Sequence, residues 1–373
     1  MKILLIGNYL IDRQQSMQLF CDMLADGLSS RGHEVRISRP EARAGNLMPK
    51  ATGFGKWLGY IDKFLIFPPK MRRDLQWADV VHICDHSNAF YAPHLHKIPN
   101  VVTCHDLLAV RGAMGEDTDC PASYSGRILQ KWILNGLYSA RMVVCVSSAT
   151  QQDLSRLSDG KPVNSTVILN GLNGNYHVVS PDVCRDRLSE LNGFDCETPY
   201  LLHVGSSLKR KNRDGILRIF AKVSQQWNGN LVFAGAPLTP ELTELVEKLN
   251  LGSRVIQLSN PSHEQLEALY NRAFAFLFPS RFEGFGWPII EAQACGCPVL
   301  CSDRCSMPEV AGSAALIRAV EDEDGFAQDI LSLTEPEQRA RWVQLGFENS
   351  NRFSTAGMLQ QYESVYRQLV EKN

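Results

Sequence analysis

Two glutamates, Glu283 and Glu291, stand eight positions apart in the stretch FEGFGWPIIEAQACGCPVLCSD, residues 282–303. The run before them, FAFLFPS, reads as a buried strand ending at Pro279. RFEGFG is then a loop at the carboxyl end of that strand, where open α/β sheets receive ligands. Gly284 and Gly286 let the backbone approach a ligand closely and take positive φ. Pro288 suits the first position of a helix, so PIIEAQAC is expected to be helical, with Glu291 within about one turn of its start. Loop and helix carboxylates can then face one pocket, beside bare amides that favour an anion. Two carboxylates flanking an anion site suit a ligand with hydroxyls at both ends and phosphate between, such as a nucleotide sugar. A glutamate pair with no such surroundings would be solvated residues at a helix start.

Other reactive types are weighed the same way. The basic turn KRKNR, residues 209–213, follows the apolar run YLLHVG at a strand end, which sets it apart from an ordinary solvated turn. His105 follows NVVTC, again at the carboxyl end of a strand; it is one of nine histidines, and position alone distinguishes it. His82 and His86 in HICDH have metal-like spacing, but His82 falls inside a predicted strand. The DTD at 117–119 lies in a polar loop with no apolar strand before it. Cys295, Cys297, Cys301 and Cys305 crowd together, yet CPVLC reads as a buried strand, in which alternate side chains face opposite ways. Small buried thiols account for the cluster better than a metal does, and no metal site is expected.

These residues need scaffolding, and the chain repeats one kind. KILLI ends at Gly7 and YLLHV ends at Gly205; each is followed by a polar turn and a helical pattern. Met17, Phe20, Met23, Leu24 and Leu28 recur at helical spacing after the first, and Ile216, Ile219, Phe220 and Val223 after the second. Strand, glycine turn and helix open a nucleotide-binding α/β unit. Further apolar runs (DVVHIC, NVVTCH, RMVVCVS, STVILN; then NLVFAG, RVIQLS, AFAFLFPS, PVLCS) alternate with helical stretches, which implies parallel strands covered on both faces. The expectation is two doubly wound domains, 1–175 and 176–354, joined through the Gly-, Asn-, Asp- and Pro-rich segment 172–198, with a final helix within 355–373 returning to the first. With 373 residues, 44% of them hydrophobic, the chain can fill two cores. Neither half carries G-x-G-x-x-G or a Walker A sequence, which removes the best support for hydride transfer or ATP hydrolysis. A formal charge of -2 argues against a nucleic-acid surface. Eleven scattered cysteines imply reduced thiols. MKILLIG lacks the features of a signal peptide, and no run is long enough to span a bilayer, so a cytoplasmic protein is expected.

EGFGWPIIEA resembles the E-x7-E motif of retaining glycosyltransferases of the GT-B fold, family 4. HVGSSLKRKNRDG, NVVTCHDL, VVCVSSATQQDLSRL and VILNG resemble other landmarks of that family, so the resemblance covers most of the chain. It implies two Rossmann-like domains facing a cleft, with the donor nucleotide sugar held mainly on the second. Glu283 would accept hydrogen bonds from the sugar hydroxyls, with the Phe285 and Gly286 amides and the Gly284 backbone supporting sugar and phosphate. Glu291 would hold the ribose, Arg210 and Lys211 the diphosphate, and His105 would lie near the donor sugar and leaving phosphate. The loops Gly205–Ser206 and Gly7–Asn8–Tyr9 would border the ligand. Departures from the family are Ser206 in place of arginine, Asn8–Tyr9 in place of a second glycine, and Trp287 in place of a smaller apolar residue. The resemblance implies transfer with retention, with no cofactor or metal and a nucleotide-diphosphate sugar as co-substrate.

The acceptor is less legible; a saccharide or lipid-linked glycan is expected, as in polysaccharide biosynthesis. Residues 54–73 interleave Trp57, Tyr60, Phe64 and Phe67 with Lys56, Lys63, Lys70, Arg72 and Arg73. Such a stretch suits peripheral contact with an anionic membrane, and equally a core helix with a charged outer face. Two other functions fit the architecture: a catalytically silent nucleotide-sugar-binding or scaffold protein, and a nucleotide-sugar epimerase.

Overall fold

The computed structural model describes residues 1–47, 54–191 and 194–372, and for Phe54 and Lys56 the backbone alone. Lys56, as part of the basic-aromatic stretch, and residues 192–193 of the expected junction therefore lie outside the described side chains. The chain forms two compact units, Met1–Asn173 with Thr355–Asn373, and Gly174–Ser354.

Unit 1 carries β1 (Lys2–Ile6), β2 (Glu34–Ser38), β3 (Val80–Ile83), β4 (Asn100–Cys104), β5 (Met142–Cys145) and β6 (Ser165–Val167), in the order β2-β1-β3-β4-β5-β6. Unit 2 carries β7 (Tyr200–Gly205), β8 (Asn230–Gly235), β9 (Val255–Ser259), β10 (Ala275–Phe278), β11 (Val299–Ser302) and β12 (Leu316–Arg318), in the order β12-β11-β10-β7-β8-β9. All pairings are parallel. The central strands β3, β4, β10 and β11 are buried along their whole length, as their unbroken apolar runs require. In unit 2 the chain works outward from β7 through β8 to β9, then restarts on the other side at β10. The switch point between β7 and β10 leaves a crevice at their carboxyl ends. In unit 1 the corresponding reversal lies between β1 and β3.

Helix packing follows the apolar spacing. The helix Gln15–Ser30 buries Phe20, Cys21, Leu24 and Leu28, and Arg213–Val223 buries Ile216, Ile219, Phe220 and Val223. The helix Thr355–Glu371 is part of unit 1. Its Tyr366 hydroxyl lies 2.7 Å from His82 Nδ1, while Thr103 Oγ1 is 2.7 Å from His82 Nε2 and 2.9 Å from the Tyr362 hydroxyl. Glu363 takes both Arg31 nitrogens at 3.0 Å. With both ring nitrogens engaged and no side-chain exposure, His82 is a core residue, and its metal-like spacing to His86 carries no metal chemistry. Among the described residues no group of three or more His, Cys, Asp or Glu could hold a metal ion. Cys295, Cys297 and Cys301 are buried.

Candidate active site

β7 ends at Gly205, and the chain enters a short 3-10 turn, Lys209–Lys211. Asn212 follows in the left-handed conformation, at φ 55°, and starts the helix Arg213–Val223. Across the switch point, β10 ends at Phe278 and leads into the glutamate loop. Asn212 Nδ2 donates to Pro279 O at 3.0 Å, and Arg281 Nη2 donates to Asn212 Oδ1 at 2.8 Å, so one side chain ties the two loops. The result is a triad. Lys211 Nζ donates to Glu283 Oε1 at 2.7 Å, and Arg210 Nη1 donates to Glu283 Oε2 at 2.9 Å and to Phe282 O at 3.1 Å. Lys211 also sits 5.0 Å from the centre of the Phe278 ring, on its face.

Glu283 and Lys211 are only 7% and 8% exposed. Burial opposes the Glu283 charge, but Lys211 and Arg210 outweigh it and hold the carboxyl below its ordinary range. Burial also draws the Lys211 ammonium down, against the pull of Glu283. Nearby, Arg213 is buried, and among the described residues no carboxylate pairs with it. It donates to Gly205 O at 2.7 Å, Ala236 O at 2.8 Å and Pro237 O at 3.3 Å, and burial lowers it to about 10, still cationic at neutral pH. Three cations against one carboxylate leave a surplus of positive charge at the carboxyl ends of β7 and β8, which suits an anionic ligand.

The helix after the loop runs from Trp287 to Ala294, with Gly286 as its N-cap at φ 103°. Trp287 takes the first helical position, so Pro288 stands second and not first as expected; it still replaces an amide that no helical carbonyl would meet. Ser306 Oγ donates to Glu283 O at 3.0 Å and Phe285 O at 2.7 Å, fixing the loop from below. Trp287 lies edge-on to Phe285 with ring centres 5.8 Å apart. Glu291 is buried and accepts from the Tyr270 hydroxyl at 3.0 Å, so the two glutamates have different partners. Gly284 and Ser206 are half-buried in their loops, and Gly286 and Phe285 are buried. The sequence singled out the KRKNR turn and Glu283 because they follow apolar runs, Glu291 by its place near a helix start, and Arg210 and Lys211 individually through the family resemblance. It missed the parts played by Asn212, Arg213 and Ser306, which act on backbone carbonyls far away in sequence and leave no local pattern.

At the switch point of unit 1, Gly7 donates through its amide to Ser38 O at 3.0 Å. Asn8 is buried and donates to Asp85 Oδ2 at 2.5 Å and to Gln14 Oε1, while Asn88 Nδ2 donates to Asn8 Oδ1 at 3.1 Å. Asp85 caps the turn that follows β3 by accepting from the Ser87 amide at 3.0 Å. His86 Nδ1 lies 3.1 Å from Asp85 Oδ1, close enough for charge attraction though off hydrogen-bond alignment. Burial opposes both charges, but the pair wins: His86 is raised and Asp85 is held low. His105 is 6% exposed, its Nε2–H donates to Cys84 O at 2.9 Å, and Phe20 lies edge-on at 4.7 Å. Burial lowers its pKa, so the ring is neutral with its proton on Nε2. Tyr9 is turned inward, its hydroxyl donating at 2.7 Å to Oδ2 of Asp62, which also accepts from the Ala44 amide at Oδ1 and the Gly45 amide at Oδ2, both at 2.9 Å. Its bulk thus anchors the Gly45 loop and borders a cavity of about 330 Å³ that also meets Gln14, Lys63, Ser87 and Asn88. A larger cavity, about 540 Å³, opens beside Asp79 and Pro99 at the amino ends of β3 and β4, away from these groups.

Residues 17–175 match the family model described as Glycosyltransferase Family 4, and residues 185–348 match that of Glycosyl transferases group 1. The chain is 27% identical over 338 residues to O-antigen chain mannosyltransferase B of Escherichia coli, covering 86% of this chain and 85% of the relative. It is 24% identical over 287 residues to D-inositol 3-phosphate glycosyltransferase of Corynebacterium glutamicum, covering 74% and 68%. Sucrose-phosphate synthase from Thermosynechococcus elongatus superposes with a TM-score of 0.76 at 21% identity, over the whole of both chains. HepE of Anabaena, solved with UDP and glucose, superposes with a TM-score of 0.74 at 18% identity, over 98% of each chain. One match spans His105 and the other Lys211 and Glu283, together reaching across most of both units, and on that double match the chain belongs to the glycosyltransferases of the GT-B fold, family 4.

Proposed function

We propose that the protein is a retaining glycosyltransferase that moves a sugar from a nucleotide-diphosphate donor to a saccharide or lipid-linked glycan, in the building of a surface polysaccharide. The observation that carries the donor reading is the joining of Arg210, Lys211 and Glu283 at the carboxyl ends of β7 and β10, beside a surplus of positive charge. The UDP and glucose held by the Anabaena protein and the O-antigen assignment of the Escherichia coli relative support the substrate class. Unit 2 supplies the donor site and unit 1 the acceptor side.

The reaction is a front-face displacement. The acceptor hydroxyl oxygen bonds to the anomeric carbon on the side from which the diphosphate departs. The electron pair of the broken carbon–oxygen bond goes to the diphosphate, and a phosphate oxygen takes the hydroxyl proton. Arg210 and Lys211 hold the charge as it grows on the leaving group, the condition for lowering the barrier. Glu283 orients the sugar through its hydroxyls and does not attack. Glu291 holds the ribose. These cations do the work that a metal would otherwise do, so a chelator leaves the rate unchanged.

A thermal-shift panel of UDP-, GDP- and ADP-sugars tests the donor, because a ligand bound only to the folded state raises the melting temperature. Proton NMR of the first-formed product then tests the stereochemistry; an inverted anomer rejects front-face displacement. Stabilisation by a donor without transfer to any glycan would mark a silent binding protein, and interconversion of the donor alone an epimerase.

A further inference from the structure

Six of the exposed large apolar side chains of unit 1 fall into two stripes. Trp57, Ile61 and Leu65 are 60%, 40% and 69% exposed and recur at every fourth residue along the helical run Phe54–Leu75. Tyr124, Ile128 and Trp132 are 83%, 39% and 53% exposed, at the same spacing on the helix Tyr124–Ser139. In an α-helix four residues overshoot a full turn by ~40°, so such a stripe drifts sideways. The first run passes through a π turn, Asp62–Ile66, whose wider turn takes that drift back. Leu65 thereby returns to the face of Trp57 and Ile61, and the exposed Pro69, Arg72 and Arg73 continue it. The stripes meet where Phe64 packs on Trp132, with ring centres 6.0 Å apart.

Charge is as one-sided as shape. Lys63 and Lys70 are paired with Asp12 and Glu41, so among the described side chains of this face the positive charge offered to solvent comes from Arg72, Arg73, Arg127 and Lys131, all exposed. The helix Tyr124–Ser139 contains no acidic residue. A second copy of the chain meeting this face about a two-fold axis would set like charges against each other. A flat anionic surface with an apolar interior satisfies both the rings and the cations.

We propose that this two-helix face docks on an anionic lipid bilayer, with Trp57, Leu65, Tyr124 and Trp132 at headgroup depth and the arginines and lysine on lipid phosphates. The cavity of about 330 Å³ passes between the same helices, bordered by Tyr60 and Phe64 on one side and Leu129 and Ile133 on the other, and reaches Asn88. A glycan carried on a lipid would thus be met at the bilayer. That last point deepens the proposed transfer and rests on it; the docking itself does not.

The test is co-sedimentation of the full chain with vesicles of phosphatidylcholine alone or mixed with phosphatidylglycerol, with tryptophan quenching by brominated lipid. Binding is expected to require phosphatidylglycerol, with quenching that falls in Trp57→Ser and Trp132→Ser. Leu65→Ser with Trp132→Ser should weaken binding at least tenfold, and Arg72→Ala or Arg73→Ala about fivefold each. Circular dichroism and the donor thermal shift should stay as in the parent chain. No binding, or binding indifferent to these substitutions, overturns the proposal. So does a dimer in sedimentation equilibrium that Leu65→Ser dissolves. A donor shift without vesicle binding removes the docking alone; vesicle binding without any donor shift removes the transferase reading alone.

Discussion

Glu283 holds both Arg210 and Lys211 of the facing turn, and a diphosphate entering beside them has to share those cations. Removing the carboxylate frees that charge. Glu283→Gln is therefore expected to bind the nucleoside diphosphate at least as tightly as the parent while transfer falls at least a hundredfold, measured by calorimetry with the free diphosphate and by turnover with the full donor. Lys211→Ala should also slow transfer, by about 10²–10³, the usual effect of losing one group that stabilises developing charge, but with weaker diphosphate binding. Equal losses of diphosphate binding in both variants would contradict this division of labour. The placement of Lys211 and Glu283 at strand ends was legible because each follows an apolar run, whereas the roles proposed for them come from the resemblance to the family motif. His86 was read only for its metal-like spacing to His82, and Asp85 was not singled out, because its contact with Asn8 joins residues far apart in sequence.

At the scale of elements, two joints bear on the sites. Gly286 starts the helix of Glu291 at φ 103°, and a β-carbon there would meet Ile289 Cδ1 only at 3.4 Å, an ordinary contact. The cost of Gly286→Ala is then backbone strain, about 1–2 kcal/mol, seen as a lower midpoint in urea with an unchanged slope. In unit 1, Tyr366→Phe leaves His82 Nδ1 buried without its hydroxyl and should cost about 1–3 kcal/mol. Strands and amphipathic helices were legible because burial on two faces or one leaves different periods. The π turn was not, since Asp62–Ile66 has ordinary helical composition and Asp62 finds its partners in Tyr9 and the Gly45 loop, far back in the chain.

At the scale of the whole molecule, each unit hides a neutral histidine. Burial pulls His82 in unit 1 and His203 in unit 2 down to about 3. The unfolded chain takes up those protons near pH ~6.5, so between there and about 3 the unfolded state binds more protons and stability falls as the pH falls. Melting temperature followed from neutral pH toward pH ~4 should decline in both units, and a flat profile would mean that the rings admit water. The two α/β units were legible from repeated strand–glycine–helix openings. The membership of Thr355–Glu371 was suggested only by its position, because its partners His82 and Thr103 lie far back in the chain.

That membership sets an order of assembly on the ribosome. The first sheet is synthesised early, but the segment that covers His82 and Thr103 emerges only after all of Gly174–Ser354. Throughout that interval the nascent first unit shows an uncovered polar seam, while the second can already close. A chain halted before Thr355 should consequently keep a protease-resistant fragment from the second unit and lose the first, a dependence that the mature fold conceals.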